Sequence, residues 1–313
     1  MPFTAKSGKF NASINAVEFG TGDKAVKIGG ENVFPLYSFD AAIENAPKVG
    51  IEITDFGMEH EPEGIKKYYE GCATLADMAR KAASMEGVDF LSFRMEGGDP
   101  NGANKSTEEL IGELKEIADA VDLPLVVCGC KNVEKDAELF SKAAEALNGK
   151  NAVILSAKEE NYKTVGAAAG LAYKQVVGAE SAVDINLAKQ LNVLISQLGV
   201  DSKSVVMNVG TAAVGYGFEY VISTMDRVKA AALQQGDANL QMPIITPVAS
   251  EAWGVKEAMA SETDAPEWGS QEERGIDMEV ETAMAVIAAG SNAVILKHPE
   301  SIKIISGLMK ELV

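Results

Sequence analysis

The chain has 313 residues, of which 47% are hydrophobic and 24% charged, a balance typical of folded globular proteins. Its 28 Lys and Arg against 46 Asp and Glu give a net charge of −18. This charge repels the phosphates of nucleic acid and anionic lipid, so we expect neither as a partner. No apolar run approaches the roughly 20 residues that span a bilayer, and the first residues lack the apolar core of a secretory signal. Three cysteines are too few for a disulfide framework, so we expect a cytoplasmic protein with free thiols.

The first part of the chain, residues 1–48, predicts a β-hairpin appendage. Apolar and polar residues alternate in KFNASINAVEFGTGDKAVKIGGENVFPL, with the turn formers Gly20 and Gly22 between the two runs. We predict a boundary after this segment and a single barrel domain over residues 49–313. In that arrangement the hairpin would close the bottom of the barrel, the end away from chemistry.

The second part alternates short apolar runs with helical stretches. The runs lie at 49–56, 88–97, 123–130, 152–157, 175–181, 204–211, 242–250 and 293–298. Strands that are apolar on both faces occur in parallel sheets covered by helices. Stretches such as STEELIGELKEIADAV and DINLAKQLNVLISQLG carry the helical repeat between them. The pattern predicts an α/β fold, a (β/α)8 TIM barrel with an N-terminal β-hairpin extension, with a doubly wound open sheet as the alternative.

Function in such a barrel lies at the carboxyl ends of the strands and in the loops after them. Those ends carry Asp55, Phe56, Arg94, Met95, Glu96, Cys130, Lys131, Ser156, Asn161, Glu180, Asn208, Thr211, Thr246, Ser250, Lys297 and His298. The loops GGDPNGAN and GTAAVGYG and the long loop at 251–275 are rich in small residues. Small residues allow a large flat body to approach the backbone closely.

The stretch VVCGCKN contains the only closely spaced thiols, Cys128 and Cys130. Three cysteines fall short of the four thiolates of an iron–sulfur cluster. Neither His60 nor His298 has the spacing of a zinc ligand relative to them, and CxC on a strand is not the CxxC of redox pairs. Because side chains two apart on a strand share a face, we expect both thiols to be buried together on one face near a strand end. No metal site is predicted.

Four titratable residues near the strand ends have a structural as well as a functional interpretation. Arg94 and Glu96 fall on one face of the predicted second strand, so we expect them to pair with each other. Asp55 either caps the following helix or supplies the hydrogen-bonding carboxylate of a pterin-binding barrel. His298 serves either as a pH switch or as a packing residue. No phosphate-binding loop is present in the chain, which favours a scaffold that covers a group supplied by another protein.

Six long stretches, spread over essentially the whole chain, carry a family resemblance. They are VGIEITDFGMEHEPEGIKKYY, DFLSFRMEGGDPNGANKS, LPLVVCGCKNVEKDAELF, MNVGTAAVGYGFEYVISTMDRVKAAAL, TPVASEAWGVKEA and AVILKHPESI. In them the chain resembles the corrinoid iron–sulfur protein small subunit of the acetyl-CoA (Wood–Ljungdahl) pathway, and most closely its acetogenic bacterial forms.

This resemblance implies a TIM barrel bound to a large corrinoid iron–sulfur subunit, which carries the [4Fe-4S] cluster and the domain that binds the corrinoid (cobalamin). The barrel would cap the corrinoid at the interface. Methyl would arrive from methyltetrahydrofolate through a methyltetrahydrofolate:corrinoid methyltransferase and leave to acetyl-CoA synthase. The chain lacks the DxHxxG corrinoid ligand motif, so both cofactor anchors are expected on the partner, and this chain is expected to be a non-catalytic subunit.

The corrinoid contacts that we expect combine this resemblance with the strand-end positions, weighted toward the second, sixth and seventh loops. They are Asp55, Met95, Glu96, Asn101, Ser156, Asn208, Thr211, Ala212, Ala249, Ser250 and Trp253. The alternative is a stand-alone pterin-binding methyltransferase barrel in which Asp55, Asn161 and Asn208 hold the pterin. A purely structural stabiliser that never touches the corrinoid is a third interpretation.

Overall fold

Strand–helix units follow one another around a ring after a short hairpin. The structure, a computed structural model, describes residues 8–313. Its strands are β1 (Val17–Phe19), β2 (Val26–Ile28), β3 (Lys48–Thr54), β4 (Phe90–Arg94), β5 (Leu125–Cys128), β6 (Val153–Ala157), β7 (Val176–Glu180), β8 (Val205–Asn208), β9 (Ile244–Pro247) and β10 (Ser291–Leu296). Its helices are α1 (Glu63–Tyr68), α2 (Leu75–Ala83), α3 (Thr107–Ala120), α4 (Val133–Ala146), α5 (Tyr162–Val165), which continues as a π-helix over Gly166–Ala172, α6 (Ile185–Gln197), α7 (Phe218–Leu233), α8 (Ala249–Ala252), α9 (Lys256–Met259), α10 (Gln271–Ala289) and α11 (Pro299–Leu312).

Strands β3 to β10 form a closed parallel barrel. Their hydrogen-bonded order is β10-β3-β4-β5-β6-β7-β8-β9, so successive strands are neighbours and β10 closes the ring against β3. The strands are buried along almost their whole length, which explains why their sequences are apolar on both faces. The predicted TIM barrel is therefore confirmed, and the open doubly wound sheet is wrong.

The N-terminal hairpin closes the amino end of the barrel. Strands β1 and β2 pair antiparallel, and their apolar side chains are buried in one cluster with residues of the barrel lumen. Phe19 contacts Phe90 edge to face, with 5.5 Å between ring centroids. The Gly20 amide donates to the carbonyl of Asn151, which precedes β6. The predicted hairpin is confirmed, whereas the boundary after residue 48 stays a prediction.

A buried ion pair fastens the segment between hairpin and barrel. Lys229 of α7 donates to Oε1 of Glu31 over 2.9 Å and to Asn292 over 2.9 Å, and Asn292 also donates to Glu31 over 2.8 Å. Burial alone would raise the pKa of Glu31, but the Lys229 charge and these hydrogen bonds outweigh it and lower that pKa. The Glu31 carboxylate is therefore ionised, and in this form it anchors the segment between the hairpin and the barrel.

Side-chain caps begin the helices that follow the barrel loops. Thr74 and Asp77 form a capping box at α2, Ser106 caps α3, and Asp184 caps α6. Each cap contributes about 1 kcal/mol. The loops at the carboxyl end of the barrel therefore end at defined residues, which limits the conformations that these loops can adopt.

The two closely spaced thiols occupy different layers. Cys128 ends β5 and is buried in the lumen cluster, with its Sγ 3.6 Å from Oγ of Ser92. Cys130 lies beyond the strand in the outer layer, where its Sγ is 3.2 Å from Oδ1 of Asp136. Both are buried free thiols, as predicted. The prediction that they share a face is wrong, because the strand ends before Cys130 and its alternation ends with it.

Candidate functional site

Two adjoining cavities open at the carboxyl end of the barrel. The smaller, about 300 Å³, lies over β5 to β9, and its lining includes Ser156, Lys158, Glu180, Asn208 and Thr211. The larger, about 420 Å³, lies over β10, β3 and β4, and its lining includes Glu52, Phe56, Glu61, Trp253 and Lys297. Four residues line both: Arg94, Gly129, Lys131 and Ser250. The carboxyl end of the barrel thus has a single opening, the mouth, whose two halves are the smaller and the larger cavity.

A buried ion pair forms the floor between these halves. Arg94 Nε and Nη2 donate to Oε2 of Glu52 over 3.0 and 2.9 Å. Burial alone would lower the pKa of Arg94, but the Glu52 carboxylate outweighs it and raises that pKa, so the guanidinium stays charged. The predicted pairing of Arg94 with Glu96 is wrong. Strand β4 ends at Arg94 and a 3₁₀ turn begins at Glu96, which leaves the Glu96 side chain exposed at the rim.

A second ion pair lies at the end of β10. Lys297 Nζ is 2.9 Å from Oε1 of Glu61. The backbone amides of Lys297 and His298 donate to the two carboxylate oxygens of Glu279 over 2.6 and 3.0 Å. Burial would lower the pKa of Lys297, but Glu61 and Glu52 outweigh it and raise that pKa. Glu61 therefore holds the Lys297 ammonium at this end of the larger cavity, and Glu279 fixes the backbone that carries it.

The floor of the smaller cavity is a polar cluster. The Asn208 amide nitrogen lies 3.1 Å from Oγ of Ser156 and 3.5 Å from Oε2 of Glu180, and its oxygen accepts from the amide of Gly210. Glu180 also pairs with Lys158 over 3.3 Å. These side chains come from three successive strands and satisfy one another.

Trp253 lines the larger cavity and packs against His298 behind it. Their rings are stacked with centroids 5.8 Å apart. Nδ1 of His298 accepts from the amide of Glu300 at the start of α11, and its Nε2 lies 3.3 Å from Glu272. Burial lowers the pKa of His298. His298 is thus a helix cap and a packing partner of Trp253 in this structure.

The carboxylate of Asp55 holds the loop after β4 in place. It accepts from the amide of Gly97 over 2.9 Å and pairs with Lys105 over 3.0 Å. Helix α1 begins only at Glu63, preceded by Pro62, so the predicted capping role is wrong. Asn161 is likewise engaged, accepting from the Lys158 amide and donating to the Val133 carbonyl.

The predicted contact residues divide into two groups. Seven line the cavities: Glu96, Ser156, Asn208, Thr211, Ala249, Ser250 and Trp253. Asp55, Met95, Asn101 and Ala212 lie outside both. Met95 is fully buried in the outer core, and Asn101 forms a turn with Asp99. The sequence reasoning missed Glu52, although a lone carboxylate inside an otherwise apolar strand was a signal for it.

The part of the chain that the structure describes contains neither a metal-binding cluster nor a membrane-spanning helix. Within residues 8–313, no group of three His, Cys, Asp or Glu side chains could hold a metal ion. In the same part of the chain, no helix is long and apolar enough to cross a membrane.

Fold and mouth together define a class of protein, a TIM barrel whose carboxyl end carries a divided, charge-paired site. The fold is similar to that of dihydropteroate synthase from Xanthomonas albilineans (TM-score 0.55, 11% identity, covering 95% of this chain and 98% of that one). It is equally similar to the enzyme from Thermus thermophilus (TM-score 0.54, 12% identity, 95% and 100% covered). At such low identity this likeness concerns the fold alone.

Sequence comparison narrows the class to a family. The model of the CO dehydrogenase/acetyl-CoA synthase delta subunit matches residues 16–309, and the chain belongs to this family. Relatives include the acetyl-CoA decarbonylase/synthase complex subunit delta of Methanothermobacter thermautotrophicus (31% identity, covering 95% of this chain and 75% of the relative). That of Methanopyrus kandleri is 33% identical (93% and 71%), and delta 1 of Methanosarcina thermophila is 30% identical (94% and 67%). The family resemblance is confirmed, and these relatives are archaeal.

Proposed function

We propose that this chain is the small subunit of a corrinoid iron–sulfur methyl carrier and that its barrel mouth caps the corrinoid held by a large subunit. The large subunit also carries the [4Fe-4S] cluster in this proposal. Methyl passes from methyltetrahydrofolate, through a methyltetrahydrofolate:corrinoid methyltransferase, to acetyl-CoA synthase in the cytoplasm. When bound, the corrinoid supplies the cobalt that carries the methyl group. The six stretches that carry the family resemblance favour a small subunit of the acetogenic bacterial type.

One observation carries the capping role beyond family membership. The basic side chains at the floor of the mouth are each held by a carboxyl group of the chain, Arg94 by Glu52 and Lys297 by Glu61. A side chain engaged in this way is a poor general acid or base, because each partner stabilises the charged form of the other. A cap needs no such group. It needs a surface that excludes water and that can be displaced when the methyl group is exchanged.

The residues at the mouth fit a flat macrocycle with amide-bearing side chains. In the larger half, Ala249, Ser250 and Trp253 offer small and aromatic surface. In the smaller half, Asn208 and Thr211 offer polar groups, and Oγ1 of Thr211 is buried without a hydrogen-bond partner. We propose that these residues lie against the ring and its amides and keep water away from them.

Protection of the reduced metal tests the proposal. The rate at which Co(I) is reoxidised should be measured in the complex and in the large subunit alone. We expect the complex to be oxidised several-fold more slowly. Equal rates would contradict capping and would favour a purely structural stabiliser.

The stand-alone pterin-binding methyltransferase is the weaker candidate. Of its three predicted pterin ligands, Asp55 is engaged by the loop after β4 and Asn161 by its own loop, and both lie outside the two cavities. The isolated chain should be assayed with methyltetrahydrofolate and free cobalamin. We expect no turnover, and turnover by the isolated chain would contradict the carrier role.

A further inference from the structure

An ion pair between Lys131 and Glu251 crosses the mouth of the barrel. Lys131 follows β5, and Glu251 lies in α8, directly after β9. In the closed ring of eight strands, β5 and β9 are four positions apart and lie on opposite sides. Lys131 Nζ is 2.9 Å from Oε1 of Glu251, and Lys131 lines both cavities. The Lys131–Glu251 pair thus spans the mouth and separates its two halves.

The backbone at Lys131 is held in a conformation that suits glycine better than lysine. Its φ is +70°, in the left-handed region that side chains disfavour. The residues on either side are anchored: the Cys130 amide donates to Asp136 over 2.7 Å, and Asn132 caps α4 by accepting from the Lys135 amide over 3.0 Å. The turn therefore does not require a lysine, and the side chain needs another explanation.

The Lys131–Glu251 ion pair contributes little free energy, and it lies where its separation would change the shape of the site. The two side chains are 61% and 34% exposed, and such pairs contribute little and are screened by salt. Beneath it lies Arg94, which lines both cavities and is held by Glu52. Separation of Lys131 from Glu251 would join cavities of about 300 and 420 Å³ into one groove above Arg94.

We propose that the Lys131–Glu251 pair is a gate, closed in the free chain, which opens when the corrinoid docks and so lets the edge of the macrocycle and its amides enter the joined groove. This inference rests on the proposed function, because the large subunit presents the ligand. The gate keeps the mouth divided, and its low strength allows the cap to be placed and removed quickly.

The first test needs no ligand. The chain has two tryptophans, and a Trp268→Phe background leaves Trp253, which is 6% exposed and lines the larger cavity. Acrylamide quenching of Trp253 is then measured with Lys131→Gly and with Glu251→Gln. Lys131→Gly suits the observed φ and should fold normally.

We expect both variants to raise the quenching constant of Trp253 about twofold. Added salt should also raise the quenching constant of the parent, because it screens the ion pair, but should leave that of the variants unchanged. Lys142→Ala, which breaks the exposed Lys142–Glu145 pair on α4, is the matched control and should change nothing. Unchanged quenching in both variants, or a change in one alone, would overturn the gate.

The second test uses the corrinoid-loaded large subunit and measures its association rate with each variant. We expect Lys131→Gly and Glu251→Gln to raise this rate about threefold, and to leave association with the corrinoid-free large subunit unchanged. A slower rate for Lys131→Gly alone would make Lys131 a ligand contact and overturn the gate, as would no change in either variant. If the wild-type chain does not distinguish loaded from corrinoid-free partner, the proposed function fails, and the quenching result still decides whether the pair closes the mouth.

Discussion

Arg94 and Glu52 form a buried ion pair between the first two strands of the barrel, with both guanidinium contacts on one carboxylate oxygen. The pair lies directly below the point where the two cavities meet. It therefore sets both the shape and the charge of the floor that a capped group would face.

Removing one partner of this pair should be far more damaging than removing both. We expect Arg94→Met and Glu52→Leu each to lower the free energy of unfolding by about 3–5 kcal/mol, because each leaves a buried charged group without its partner. The double variant Glu52→Leu with Arg94→Met, which removes both charges, should lose less than either single variant. Urea unfolding of the four proteins measures this. Additive losses would contradict a tight pair.

The Glu31–Lys229 pair predicts a specific pH dependence. Because the pKa of Glu31 is lowered in the folded chain, its stabilisation is present above the ordinary carboxyl pKa of 4.5 and is lost as the pH falls through the lower folded value. Glu31→Gln should therefore be less stable than the parent at neutral pH, and the difference should shrink on acidification. Thermal unfolding across this range measures it, and a difference that grows toward acid would contradict the assignment.

The thiols should differ in reactivity according to their burial. Burial raises the pKa of Cys128 to about 11 and that of Cys130 to about 12, whereas Cys72 is partly exposed. Only the thiolate attacks a disulfide reagent. We expect one thiol to react in the native chain at mildly alkaline pH and all three after unfolding, with Cys72→Ser abolishing the native reaction. Rapid native labelling of Cys128 or Cys130 would contradict the structure.

Two helical glycines provide a matched pair of substitutions. A Cβ at Gly275 in α10 would collide with the indole ring of Trp253, whereas a Cβ at Gly112 in α3 meets nothing within 4 Å. Gly275→Ala should cost about 1–3 kcal/mol through overpacking and should shift the emission of Trp253. Gly112→Ala should stabilise the chain by about 0.5–1 kcal/mol through helix propensity. Equal effects of the two would contradict the close approach of α10 to Trp253.

The fold could be predicted because its signals are local. Apolar runs, helical repeats and capping residues such as Ser106 and Asp184 repeat along the chain, and a parallel sheet follows from strands apolar on both faces. The hairpin followed from alternation around Gly20 and Gly22.

The site was harder to predict because its contacts join residues far apart in the chain. Arg94 takes its partner from a strand 42 residues earlier, so the nearby Glu96 was the wrong choice. The face of Cys130 depended on where β5 ends, and strand ends are the least certain part of a sequence-based assignment. The strand-end rule did place Ser156, Asn208 and Ser250 at the mouth. It could not distinguish them from Asp55, whose carboxylate holds the neighbouring loop after β4.

The most direct test of the central claim is the change in hydrogen exchange of this chain when the large subunit of the complex carries the corrinoid instead of lacking it. We predict added protection at 94–101, 129–132 and 249–254, around the mouth, and none in the hairpin at 17–28. Protection confined to the hairpin end, or no difference between the two complexes, would contradict a cap formed by the carboxyl end of the barrel.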